Sequence, residues 1–280
     1  MRPRAAIASG LPLAARAAIL LALASCSAPS PREVVPGGGG GASQWSAVSA
    51  SIRVNRVERA VEFDAVAVLR TGFLEEYVCT VGTREHESLF AFDGKASEIH
   101  AALLLAGLEP GAPGRWRTAA ANDGEFALER VPPTGAPVAV SVLLPDGREL
   151  TLDHFVRAAP LPGAAAVEQV PPREFVFAGS RFVRSRRTAE ERYAADGSGS
   201  LIGLVTFGDE TIGPVEVIAD QASVSEPIWE AFTERMPEPG TKVRVRIRAC
   251  SERVNKIKGP VETEPQTEPF RGQGGGAKAP

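Results

Sequence analysis

Histidine is scarce in this chain, with three residues in 280. Two of the three, His86 and His100, fall in one stretch that also holds Cys79 and Glu87. A thiolate, two imidazoles and a carboxylate make a donor set that zinc or another transition metal accepts. For the four to converge, the helix carrying His100 must pack across the strand carrying His86 and Glu87. Against this, the spacing matches no standard metal motif, and neighbouring strand residues point to opposite faces. His100 shares a helical face with Leu103 and Leu104, a setting typical of a structural imidazole bonded through both ring nitrogens. A metal or redox site and a structural role therefore both stand as readings. Ser88 and Ser180 are the candidate nucleophiles of a hydrolase, with His86 or His100 as base. Neither lies in a Gly-x-Ser-x-Gly elbow, so no catalytic residue is assigned.

The remaining reactive side chains are thiols. Arg2, Arg4 and Arg16 precede the apolar run Ala17–Ala24, which is too short to span a bilayer and suits the core of a signal peptide over residues 1–25. Leu23-Ala24-Ser25-Cys26 is similar to the bacterial lipobox, which makes Cys26 the expected site of lipidation. Ser27 stands where an Asp is the inner-membrane retention signal of enterobacterial lipoproteins. By that resemblance the expected address is the cell envelope, at the periplasmic face of the outer membrane. Cys79 and Cys250 are left for one disulfide, which an oxidising envelope permits. Cys250 continues the parity of Arg244, Arg246 and Arg248 on a polar strand face, so a bridge and two free thiols remain alternatives.

Charge limits the partners. Removing residues 1–25 takes three Arg and no acid from 31 basic and 34 acidic residues, leaving a net charge of −6. An acidic protein lacks the basic footprint that a phosphate backbone needs, so nucleic acid is not an expected partner. The same charge means that membrane attachment must come from the lipid. Residues 26–50 carry the lipidated Cys and a Pro-rich, then Gly-rich tether. Residues 259–280 have no apolar period and are expected to be a disordered tail.

Between them, residues 51–258 read as one globular α+β domain, a mostly antiparallel sheet with one prominent helix at about 95–106. Strands are expected in Arg53–Arg70, Phe73–Val81, His86–Phe92, Pro137–Leu144, Glu149–Phe155, Glu174–Phe182, Leu201–Phe207, Pro214–Ala219 and Lys242–Ala249. Asp146-Gly147 and Asp196-Gly197-Ser198-Gly199 read as hairpin turns. The helix has Ile99, Ala102, Leu103 and Ala106 on its core face, Gly107 as cap and Pro110 as stop. A second, short helix is expected at Pro227–Arg235. The last strand alternates Val243, Val245, Ile247 against Arg244, Arg246, Arg248. Its Arg face should be solvated or meet acids, and an Arg ladder also blunts a sheet edge. The basic cluster Arg181, Arg184, Arg186, Arg187 precedes Glu190 and Glu191 and reads as a solvated, salt-bridged loop.

Three stretches carry a family resemblance. The first is Glu85-His86-Glu87-Ser88-Leu89-Phe90 with Asp93, Ile99–Leu105 and Pro110-Gly111. The second is Phe175–Ser180, and the third is Tyr193–Gly199. Together they resemble the YdjY-type domain of envelope proteins from planctomycetes and related bacteria, over about residues 52–250. Ala96 departs from the pattern, standing where the family often has Pro. The resemblance implies a fold and an envelope address but no reaction. Some relatives carry iron–sulfur ferredoxin modules, whose clustered cysteines this chain lacks. The function expected is a membrane-anchored lipoprotein with a non-enzymatic binding or assembly domain and an envelope protein as partner. The alternative is a metal-binding or redox accessory protein using Cys79, His86, Glu87 and His100.

Overall fold

The computed structural model describes residues 44–120, 126–159, 170–184, 189–219 and 228–250. The leader, Cys26, most of the tether, the tail and the pair Arg186 and Arg187 lie outside the described residues. Among the described residues no helix is long and apolar enough to cross a membrane.

The alternation in Lys242–Ala249 marks the centre of the main sheet. Its strands in chain order are β1 (Trp45–Ala47), β2 (Ile52–Asn55), β3 (Ala60–Ala67), β4 (Glu76–Thr80) and β5 (Ser88–Phe92). They are followed by β6 (Pro137–Leu143), β7 (Glu149–Thr151), β8 (Phe175–Val176), β9 (Ser200–Gly203), β10 (Gly213–Pro214) and β11 (Lys242–Ala249). The spatial order is β9-β4-β5-β3-β11-β6-β8-β10, with β2 beside β3, β1 beside β2 and β7 beside β6. The pairing is antiparallel except between β4 and β5, so the architecture is mainly antiparallel β. The sheet curls towards a barrel. Segment 211–212, just ahead of β10, returns to β9 through Ile202 and Ile212, with Ile212 N–H donating to Leu201 O at 2.9 Å and Gly203 N–H to Ile212 O at 3.0 Å.

Val243, Val245 and Ile247 are buried, as the alternation requires, beside Val61 and Phe63 of β3. Phe63 meets Phe92 edge-on at 5.1 Å and Phe90 meets Phe155 at 5.5 Å, the geometry aromatic quadrupoles favour. On the opposite face the Arg side chains meet acids. Glu62 of β3 lies directly across from Arg53 of β2 on one side and Arg246 of β11 on the other. Its carboxylate accepts from Arg53 Nε at 2.5 Å and is paired with Arg246. Arg246 also pairs with Glu149, Arg248 reaches Glu149 at 3.3 Å, and Arg244 reaches Asp64 at 3.1 Å. The Trp45 ring lies over Arg53 and Arg246, which leaves Glu62 fully buried although it points away from the core. β11 runs between β3 and β6, so its Arg ladder protects no edge; acids on both flanks are what it answers.

Helix α1 (Ala96–Leu105) forms where the apolar period places it. Glu98 accepts from the Lys95 N–H at its start, and Gly107, at φ 81, turns the chain out at its end. Ile99, Ala102, Leu103 and Ala106 are buried beneath it. Other expectations are corrected. Phe73–Val81 is two strands: Phe73–Leu74 joins a separate three-stranded sheet with Val156–Ala158 and Trp229–Ala231. That strand at Trp229–Ala231 stands where a helix was expected, because its backbone pairing on both sides outweighs local helical propensity. The Asp196–Gly199 turn is a short helix, α2 (Ala194–Ser198), ended by Gly199 at φ 82. The strand at His86 begins only at Ser88, after a 3-10 turn over Glu85–Glu87. Arg115–Ala120 and Phe126–Val131 form a hairpin that the sequence did not announce. Asp146-Gly147 does turn the chain from β6 to β7, with Gly147 at φ 88.

Candidate functional site

Around α1 the three sequence stretches meet. His100, one turn into the helix, places Nδ1 2.9 Å from the Tyr193 hydroxyl, which lies 3.1 Å from Thr211 Oγ1. Its ring packs edge-on against Phe177 at 4.9 Å and Tyr193 at 5.3 Å. Burial lowers the affinity of the imidazole for a proton, and a backbone hydrogen bond at Gly179 partly restores it. Nδ1 thus has a protein partner in the Tyr193 hydroxyl. Gly111 N–H donates to Phe177 O at 3.0 Å, joining the end of the first stretch to the second. Asp196 of α2 accepts from the Ser97 N–H and hydroxyl at 2.8 and 2.7 Å, joining α1 to the third. At Gly179, φ is 79 and an added Cβ would stand 2.7 Å from Pro110 Cβ, so only glycine fits there.

Ser180 is held in place. Its hydroxyl donates to Asp209 O at 2.5 Å and accepts from the Ala195 N–H at 3.2 Å. It holds no imidazole, and the hydrolase reading gains nothing from the structure. Tyr193→Phe is expected to lower folding stability by about 1–2 kcal/mol, since it strips a half-buried His100 nitrogen and Thr211 of their shared partner. Urea unfolding measures this, and a loss under about 0.5 kcal/mol would mean that water takes over the role.

The four candidate ligands are not brought together. Cys79 is buried on β4, where burial pushes its thiol up and Ser88 and the Arg84 backbone partly offset this. His86 sits in the exposed 3-10 turn, its Nε2 3.5 Å from Glu87. Because the two residues occupy a turn rather than a strand, they touch instead of pointing apart. Glu87 is bound by Arg84 at 2.8 Å, and His100 faces Tyr193. Among the described residues no three His, Cys, Asp or Glu side chains are grouped so that they could hold a metal ion.

Of the two alternatives for the remaining thiols, the structure has Cys79 and Cys250 free. Cys79 is level with Ala91, Ala91 with Val66, and Val66 with Lys242. Cys250 lies eight residues beyond Lys242, about 26 Å further along at strand rise, far outside disulfide reach.

Sequence reasoning missed a second polar cluster. β4 and β5 are parallel, and the short crossover between them carries Arg84 back over β4. There Glu76 of β4, Ser200 of β9 and Glu210, two residues ahead of Ile212, are buried together. Burial raises the Glu76 carboxyl well above the usual range; Ser200 opposes the rise without reaching hydrogen-bond geometry, Glu210 and Asp209 add to it, and Arg84 relieves it. Glu210 is pushed up to about 7, chiefly by burial, although its Oε2 accepts from the Gly208 and Asp209 N–H groups at 2.8 and 3.0 Å. The one available signal was an acid at the start of a fully buried five-residue strand that runs on through Tyr77, Val78 and Cys79.

A mainly antiparallel sheet closing towards a barrel, with one helix fastened on it where three sequence stretches meet, defines a β-domain. The YdjY domain model matches residues 52–248, and the chain belongs to the YdjY domain family. No curated protein and no solved structure matches it.

Proposed function

We propose that this chain is a lipid-anchored protein of the cell envelope whose YdjY domain is a binding or assembly module rather than an enzyme. The anchor reading rests on the basic leader, the short apolar run and the Cys of Leu23-Ala24-Ser25-Cys26, followed by a tether. The absence of Asp after that Cys favours the periplasmic face of the outer membrane.

One observation carries the binding reading. Leu104 and Leu105 on the outer side of α1 and Phe182 beside Tyr193 are exposed, Phe182 by 68%. Phe182 stacks edge-on against Tyr193, Tyr193 against His100, and Leu104 lies one turn beyond His100. Apolar side chains held on a rigid frame suit a protein partner better than solvent. The three family stretches would then serve to fix that frame.

Cys26→Ser tests the anchor: labelled fatty acid should enter the unaltered chain and be absent from the variant, which should leave the membrane fraction. Labelling of both alike would overturn it. A photoreactive residue at Leu104 should give one discrete adduct in cells, and Phe182→Asp should remove it. Diffuse adducts that ignore Phe182→Asp would sink the binding reading.

A further inference from the structure

Five buried side-chain oxygens at the seam of the sheet have no hydrogen-bond partner: both of Glu76 and one each of Ser200, Asp209 and Glu210. Such groups are rare in folded proteins, and several in one place call for a missing proton, water or ion. The nearby cation does not supply them, because Arg84 is committed elsewhere. It binds Glu87 at 2.8 Å and Ser198 O at 3.2 Å, lies 3.8 Å from Glu75, and stacks over Phe207 at 4.0 Å. From β5, Ser88 lies level with Glu76 but its hydroxyl donates to Arg84 O at 2.7 Å. The carboxylates are not grouped to hold a metal ion. A proton fits without any opening, and it converts a carboxyl from acceptor to donor as well as acceptor.

The place of these groups matters. Glu210 precedes segment 211–212, whose backbone bonds to β9 on one side and, through Gly179 N–H to Thr211 O and Ser180 N–H to Glu210 O, to the 179–180 turn on the other. Glu210 Oε1 and Cγ lie 3.1 Å from where a Cβ on Gly213 would stand, and no side chain fills that space. The carboxyl pair therefore sits at a segment that joins the two ends of the sheet.

We propose that Glu76 and Glu210 form a proton-operated latch on this seam: protonated, they hold segment 210–212 against β9, and ionised, they release it. The remaining charges facing the pair are Asp209, which favours release, and Arg84, which opposes it. The latch segment carries Thr211, which bonds the Tyr193 hydroxyl of the binding frame, but the test below reads the seam alone and does not require the binding role proposed above.

The test is hydrogen exchange on the chain as purified from cells, in detergent micelles, at pH 5.5 and 8.5 with intrinsic rates corrected. Amides of Gly203, Thr211 and Ile212 should lose roughly 30-fold more protection at high pH than amides of β11. That is the factor expected when a carboxyl of ordinary affinity in the open state is held at about 7 in the closed one. Glu76→Gln with Glu210→Gln should remove the difference. Equal loss at the seam and in β11, or a pH dependence that survives the double substitution, would overturn the latch. Should the double variant not fold, the ratio of seam to β11 in the unaltered chain decides alone.

Discussion

Glu62→Ala should cost the domain about 3–5 kcal/mol of folding stability, the range seen when one partner of a buried ion pair is removed. Glu62 is fully buried and is the carboxylate that Arg53 and Arg246 share across three adjacent strands. Without it two guanidinium groups face one another under the Trp45 ring with no anion between them. Arg246 keeps Glu149, so the lower end of the range applies if that pair tightens. Arg53→Ala should cost far less, because Arg53 is partly exposed and water can serve what remains. Urea unfolding with an unchanged slope and a shifted midpoint would report this directly. A loss below about 1 kcal/mol for Glu62→Ala would mean that the cluster is no more than a surface network.

The second large effect is on pH. Both Glu76 and Glu210 have raised carboxyls, so the folded chain binds more protons than the unfolded one. Their stabilising contribution is complete below the ordinary carboxylate value and is lost as pH rises through the folded values. For Glu210, held at about 7 against an ordinary value of 4.5, the loss between pH 4.5 and 8 is about 3 kcal/mol with the seam closed. Glu76, raised chiefly by burial, adds a loss of the same sign. His100 and His154 act the other way: burial keeps both neutral when folded, so they withdraw stability as pH falls below the free imidazole value. Both are only about half buried, and their share is smaller. Unfolding measured at pH 6, 7 and 8.5 should therefore show stability falling towards the basic end. Glu210→Gln should flatten that slope and gain stability at pH 8.5. A profile that rises with pH would show the pair to be ionised in the folded state.

Where the sequence repeats a local period, the fold could be read from it. Ile99, Ala102, Leu103 and Ala106 announced α1 within a residue at each end, and Val243, Val245 and Ile247 announced β11 with its acid-facing Arg side. Asp146-Gly147 announced its own turn. The family stretches marked the residues that fasten α1, though not how they meet. What stayed hidden depends on pairing at long range. Trp229–Ala231 has a helical look and is a strand because Val156–Ala158 and Phe73–Leu74 flank it. Glu75 and Glu76 are adjacent, and no period within the strand says which is buried. Glu210 follows Gly208-Asp209 and reads as part of a solvated turn, yet the seam draws it inside. Four plausible metal ligands stay apart because a short 3-10 turn, absent from any local pattern, carries His86 outward.

The position of β11 also bears on how the protein is made. The main sheet's last strand to leave the ribosome lies between two made much earlier. Until residues 242–249 are synthesised, β3 and β6 each present an open edge of unpaired backbone groups, with Val61, Phe63, Val140 and Val142 uncovered. Such edges invite pairing with other chains. The nascent domain must be kept apart from its neighbours until residues 242–249 are made, and any shortened chain that stops before Lys242 should aggregate rather than fold to a smaller domain.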